Sequence, residues 1–220
     1  ALKHYENLPY VSQEVEEILK DLPKLVRDEE KRAFNSKNYT EQQIIKLLSS
    51  DDQANVIAGI DIVRDRDVMQ FLPSIQDILL NFPKQSIRSF ALLLLVQKQV
   101  NQTFQFNHME EIIEVNPTKL EPPFVGSSFN NLVKKLDKDF RDPALSQNAT
   151  QLLSSYIIYI YPDKIPFEDP VTSEALYQIS CAYLQCPPSA SLESRCLAKG
   201  LNPSKVEDAI HLIKEAVEDF

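Results

Sequence analysis

The chain has 220 residues and carries 23 Lys and Arg against 32 Asp and Glu, a formal net charge of −9. That length holds one large domain or two small ones sharing a core, and that charge disfavours non-specific nucleic-acid binding. With three glycines, glycine-rich phosphate loops and nucleotide-binding turns are nearly excluded, because each needs several residues at positive φ or in close backbone approach.

The first residues, ALKHYENLPYV, lack the apolar h-region of a secretory signal. The chain begins with Ala, which reads as an excised fragment or a processed chain. Residues 10–33 read as a charged helix whose Val11, Val15, Ile18, Leu19, Leu22, Leu25 and Val26 form one apolar stripe, kinked or split in two at Pro23. A polar linker, 35–38, follows. Thr40 is the expected N-cap of a helix over 41–49. Ser50 or Asp51 is expected to cap the next helix, which ends near 64–67. Arg66 or Asp67 opens a partner over 68–82, with Pro73 in its first turn or so. Pro83 restarts the chain into a long helix, 85–100. Its stretch 90–96 is apolar on nearly all sides, which predicts a central buried helix containing Leu93.

Residues 54–63 (ANVIAGIDIV) align with 87–96 (IRSFALLLLV) at an offset of about 33 residues. Ala58 falls on Ala91, Ile60 on Leu93, Ile62 on Leu95 and Val63 on Val96. A helix–turn–helix unit repeated at this period marks an α-solenoid, whose layers bind macromolecules more often than they do chemistry.

The repeat then fails. Alternating residues predict a hairpin pairing 103–107 with 111–115, with Asn107-His108 between the two runs. Asn116-Pro117 ends it, and 117–126 is a proline-rich loop. Helices are expected over 129–140, over 144–161 after Asp142-Pro143, and over 171–184. Two more follow Pro187-Pro188, at 192–199 and 204–218. The expected fold is all-α: α-solenoid-like (HEAT/TPR-like) helical layers with one small β-hairpin insertion. Its parts are a helical-repeat region (1–100), the hairpin and proline-rich loop (101–126), and a C-terminal helical subdomain (127–220) sharing the core around 90–96.

Candidate chemistry is sparse. Cys181, Cys186 and Cys196 with His211 offer four zinc ligands, but the C-x4-C spacing is loose and no C-x2-C knuckle is present. On apolar helix faces cysteine acts as a small hydrophobe. An odd count at uneven spacing reads as reduced thiols in a cytosol. His4, His108 and His211 are scattered, with His108 expected in the hairpin turn and none in a known catalytic arrangement. The carboxylate groups Glu14-Glu16-Glu17, Asp28-Glu29-Glu30, Asp51-Asp52 and Glu110-Glu111 read as solvated faces or helix N-termini. The N-x-[ST] matches at Asn38, Asn101 and Asn148 are read as chance, since no secretory signal is visible in the given residues. Cys196, Gly200, Leu201 and Val206 follow helix-turn-helix spacing. The second helix carries Lys205 but also Glu207, Asp208, Glu215, Glu218 and Asp219, acids where base and phosphate recognition normally uses Arg, Lys, Asn or Gln. Tyr156, Tyr159, Tyr161 and Phe167 surround a proline-rich loop and fit either a peptide groove or helix-face packing. No catalytic, cofactor-binding or metal residues are assigned. The longest apolar run, 90–96, is far short of the ~20 residues a membrane span needs.

Three stretches carry a resemblance: SIRSFALLLLVQKQV running on to VNPTKL, then DPALSQNATQLLSSYIIYIYP, then LAKGLNPSKVEDAIHLIKEAV. In their order, over roughly residues 40–218, the chain resembles a group of Firmicutes cytosolic helical-repeat proteins of tetratricopeptide-like or HEAT-like type. Arg88 stands where HEAT-type repeats often place a basic residue. The chain departs at Cys196, where the helix-turn-helix pattern prefers Ala. The resemblance implies a bacterial, cytoplasmic helical protein and supplies no activity. The expected function is a protein–protein interaction scaffold or adaptor without catalysis or cofactor. The alternative is transcription-related DNA binding through 192–213. A protein partner is expected, and nucleic acid and membrane are not.

Overall fold

Amphipathic helices stacked in pairs, followed by one hairpin and a helical bundle, make up the fold. The computed structural model describes residues 39–124, 127–140, 142–188 and 190–220. The stripe at 10–33, the linker 35–38 and His4 lie outside them. Among the described residues there are nine α-helices and one two-stranded antiparallel sheet.

Helix α1 (Glu41–Leu48) starts in a capping box: Thr40 Oγ1 accepts from Gln43 N, and Gln43 Oε1 accepts from Thr40 N. Helix α2 (Gln53–Arg64) is capped by Asp52, not Ser50 or Asp51; the Asp52 carboxylate accepts from Ala54 N and Asn55 N. The two helices meet at Gly59, where a Cβ would lie 2.9 Å from Leu48 Cδ2 and 3.2 Å from Leu48 N, so no larger residue fits without shifting α1. The single helix expected over 68–82 is divided. Asp67 caps a 3-10 turn, Val68–Phe71, and α3 (Leu72–Asn81) follows with Pro73 in its first turn.

Helix α4 (Gln85–Gln97) buries ten of its 13 residues, as its near-continuous apolar run predicts. Leu92 and Leu95 are fully buried, whereas Leu93 is only half-buried against the same cluster. The helix stops short of Val100 because Gln99 turns left-handed at φ 52°. Helix α1 packs on α2 and α3, and α4 packs on α2 and α3.

Strands β1 (Phe104–His108) and β2 (Glu111–Val115) pair with Phe104 opposite Val115 and His108 opposite Glu111. The turn falls on Met109 and Glu110, both at positive φ (48° and 70°), so His108 ends the strand and does not form the turn. Alternation explains the shift: Phe104, Phe106 and His108 all point inward, and a period of two puts the next break after His108.

Helices α5 (Ser127–Asp139), α6 (Pro143–Ile160), α7 (Asp169–Tyr183), α8 (Leu192–Lys199) and α9 (Pro203–Glu218) complete the chain. Asp142 caps α6 and Asn202 caps α9, each with proline in the first turn. Helix α9 lies against α6 and α7 and buries Val206, Ala209, Ile213 and Ala216 at helical spacing.

Three helices end alike. In each, one residue turns left-handed and the amide beyond it bonds back across the last turn: Val100 N to Leu95 O, Cys186 N to Cys181 O, and Leu201 N to Cys196 O. This closure sets the first and last residues of the turn side by side. Gly200, at φ 66°, makes it without strain. Gly200 of the Cys196–Gly200–Leu201 spacing thus ends α8, at the turn between α8 and α9.

The buried apolar side chains form two clusters, one from α1–α4, the hairpin and Tyr161, the other from α5–α9. They meet where α4 touches α6. No helix among the described residues is long and apolar enough to cross a membrane.

Candidate functional site

Among the described residues ten polar or charged ones are buried, and the first turns of α4 hold four of them: Gln85, Ser86, Arg88 and Ser89. Arg88 is 6 % exposed, yet among the described residues its hydrogen bonds go to neutral oxygens. Its Nε donates to Asn107 O at 2.7 Å, its Nη1 to Phe82 O at 2.6 Å and Pro83 O at 3.0 Å, and its Nη2 to Gln85 Oε1 at 2.7 Å. The carbonyls of Phe82 and Pro83 follow α3, whose end carries partial negative charge. Burial lowers the Arg88 pKa, and the carboxylate of Asp219 opposes that effect.

Gln85 accepts at Oε1 from Arg88 and from Met109 N, which fixes its amide. Its Nε2 therefore donates, to Ser89 Oγ and to His108 Nδ1. His108 Nδ1 must accept, so the ring proton sits on Nε2 and points at Asp163 Oδ2, 3.0 Å away. This Asp–His pair resembles half of a catalytic triad. Its second nitrogen faces an amide and not a hydroxyl or thiol, so it activates no nucleophile here.

The same helix start is closed by a distant segment. Asp219 Oδ1 and Oδ2 accept from Gln85 N and Ser86 N at 3.2 and 2.6 Å, and Ser86 Oγ donates to Asp219 O. Phe220 meets Phe90 edge-on at 5.9 Å, and Gln53 Nε2 donates to Phe220 O.

A second buried charge sits in the other cluster. Glu174 on α7 is fully buried and accepts from Arg195 Nε at 2.7 Å, Arg195 Nη2 at 3.1 Å, Lys199 Nζ at 2.6 Å and Gln178 Nε2 at 2.8 Å. Burial pushes its carboxyl up, but Arg195, Lys199 and Gln178 outweigh burial and the net shift is downward. Arg195 also lies 3.9 Å over the Tyr177 ring. Since Arg195 and Lys199 both belong to α8, this cluster ties α8 to α7.

At the surface, a cleft of about 370 Å³ opens beside the ends of α2 and α4, lined by Arg66, Asp67, Met69, Lys98, Gln99 and Asn101 among others. Lys98 Nζ donates to Arg66 O across it, and Met69 is 56 % exposed.

The sequence candidates fall as follows. His211 is exposed on α9 and pairs with Glu215, apart from the cysteines, which are free thiols. Among the described residues no group of three or more His, Cys, Asp or Glu is placed to hold a metal ion. Asp51 is exposed beside the capping Asp52, and Glu110 and Glu111 are exposed at the hairpin. Asn101 is exposed and accepts from Asn116. Tyr156 is fully buried, Tyr161 is buried with its hydroxyl on Glu121 O, and Tyr159 and Phe167 pack half-buried on the second cluster, so the four form no open groove. Burial raises the Tyr161 pKa to about 12. The outward face of α9 carries Glu207, Asp208, Glu215 and Glu218 beside Lys205 and Lys214, so acids outnumber bases on it.

Sequence reasoning missed Gln85, Asp163 and Glu174, and it counted Asp219 among the acids of the last helix, whereas Asp219 follows that helix and its carboxylate caps α4. Glu174 had a legible signal, since it interrupts the inward stripe of Val171, Ala175 and Ile179. Arg195 and Lys199 are the only basic residues of α8 and share one face of it. No protein-family model, curated protein or solved structure matches the chain.

Proposed function

We propose that the chain is a protein-binding scaffold built on a HEAT-like or tetratricopeptide-like α-solenoid, without catalysis or cofactor, working in a bacterial cytoplasm. The observation that carries this reading is the layering of α1–α4. Paired helices stack so that α2 lies on α4 and α1 on α3. The C-caps Asp65 and Lys98 stand at the period of the sequence repeat, about 33 residues. Solenoid layers expose long surfaces suited to extended partners. The free thiols fit a reducing compartment.

The cleft beside α2 and α4 is the favoured partner site, because exposed Met69 and the Lys98 ammonium suit a segment with an apolar and an acidic side chain. Affinity capture from the native host's lysate tests this with two baits, the intact chain and Met69→Glu/Lys98→Glu. One near-stoichiometric protein retained by the first and lost by the second is expected. Equal recovery of that protein on both baits would sink the cleft as the partner site, and no specific protein on either would sink the scaffold reading. DNA binding through 192–213 has no support from the acidic outward face of α9. Salt-sensitive retardation of a DNA duplex at low salt would revive it.

A further inference from the structure

The end of α7 brings two thiols together. Gln185 turns left-handed at φ 54°, Gln185 N donates to Ala182 O at 3.3 Å, and Cys186 N donates to Cys181 O at 3.0 Å. The same closure sets Leu95 beside Val100, an apolar pair of the first cluster. At α7 both positions are cysteine. Cys181 is buried and Cys186 half-buried, so the pair has an inner and an outer member. Burial raises the pKa of the Cys181 thiol, the neighbouring Cys186 thiol adds to that rise, and Tyr177 and Arg195 oppose it. Cys196, fully buried on α8, has no such thiol neighbour: its surroundings are Glu174, Glu193, Lys199 and Arg195. The two side chains interact across the closed turn, the arrangement a disulfide between neighbouring cysteines requires.

We propose that Cys181 and Cys186 form a dithiol site that is oxidised to an intramolecular disulfide by a low-molecular-weight disulfide. Cys186, the reachable sulfur, attacks the small disulfide as thiolate and expels one small thiolate, leaving a mixed disulfide on Cys186. Cys181 then attacks the Cys186 sulfur, helped as thiolate by the Tyr177 hydroxyl and the Arg195 charge, and expels the second small thiolate. The two protons lost by the cysteines go to the two departing thiolates. One small disulfide is reduced to two thiols, and one protein disulfide forms. The new bond locks the last turn of α7 beside Tyr177 and Arg195, the residues that lead to Glu174 and α8.

The full chain, reduced and then incubated with glutathione disulfide, is acid-quenched, alkylated and read by intact mass and peptide mapping. The expected product has lost two hydrogens, carries a link between Cys181 and Cys186, and keeps Cys196 as its only alkylatable thiol. Cys196→Ser should form the same link. Cys181→Ser should stop at the glutathione adduct on Cys186. Cys186→Ser, which changes a half-exposed position beyond the helix, should gain neither adduct nor link. Wild-type chain that keeps three alkylatable thiols, or that accumulates the Cys186 adduct without resolving it, overturns the proposal.

Discussion

Arg88 and Glu174 each bury a charge in one of the two clusters, and the clusters satisfy it in opposite ways. Arg88 is surrounded by neutral oxygens, three of them main-chain carbonyls. Glu174 is surrounded by two cations and an amide, all on side chains. A carbonyl cage needs the backbone of α3, α4 and β1 already in position, so Arg88 reports the packing of the layers. A side-chain cage can hold an element that touches little else, and α8 buries only Cys196. The first charge is a product of the local fold, and the second is what docks a short helix.

Glu174→Ala should separate the two cases most strongly. It leaves Arg195 and Lys199 facing each other, and about 4 kcal/mol of unfolding free energy should be lost in urea titrations at pH 7. Because the folded carboxyl is held below its ordinary value of 4.5, its contribution is fully present above that value and disappears as pH falls through the folded pKa. Wild type should therefore lose stability on acidification below 4.5 more steeply than Glu174→Gln. Equal slopes would show that Glu174 makes no stabilising ion pair. Arg88→Met should cost less, about 2 kcal/mol, since the abandoned partners are uncharged and some can be reached by water. A loss as large as that of Glu174→Ala would erase the contrast. Asp219→Ala removes the cap on α4 and should cost about 1 kcal/mol, with faster hydrogen exchange at Gln85 and Ser86 and none at α8.

Local signals made most helices legible. Thr40, Asp142-Pro143 and the apolar run of α4 each act within a few residues, and their helices start or bury as expected. One helix end was less legible because a non-glycine residue turns left-handed there. Gln99 carries no compositional mark of that conformation, and the helix expected to reach residue 100 ends at Gln97, whereas Gly200 carries such a mark and Pro187-Pro188 marked the end of α7 to within a residue. The hairpin turn was misplaced for the same reason, because Met109-Glu110 lacks the Asn-Gly chemistry that favours two positive φ angles. The polar junction was hidden for a different reason. Its members Gln85, His108, Asp163 and Asp219 are spread over much of the chain, and only tertiary packing assembles them. Arg88 alone stood out, as a charge within an apolar helix.

The clasp of Asp219 on α4 also bears on the order in which the molecule forms. It joins residues 134 positions apart, a long loop to close and among the slowest kinds of contact to gain. At ribosomal rates of roughly 5–20 residues per second, Asp219 follows Gln85 by about ten seconds. Throughout that interval the layers α1–α4 hold the amides of Gln85 and Ser86 and the edge of Phe90 without their final partners. The N-terminal layers would then be assembled early and sealed late, which makes the beginning of α4 the place to look for a chaperone contact during synthesis.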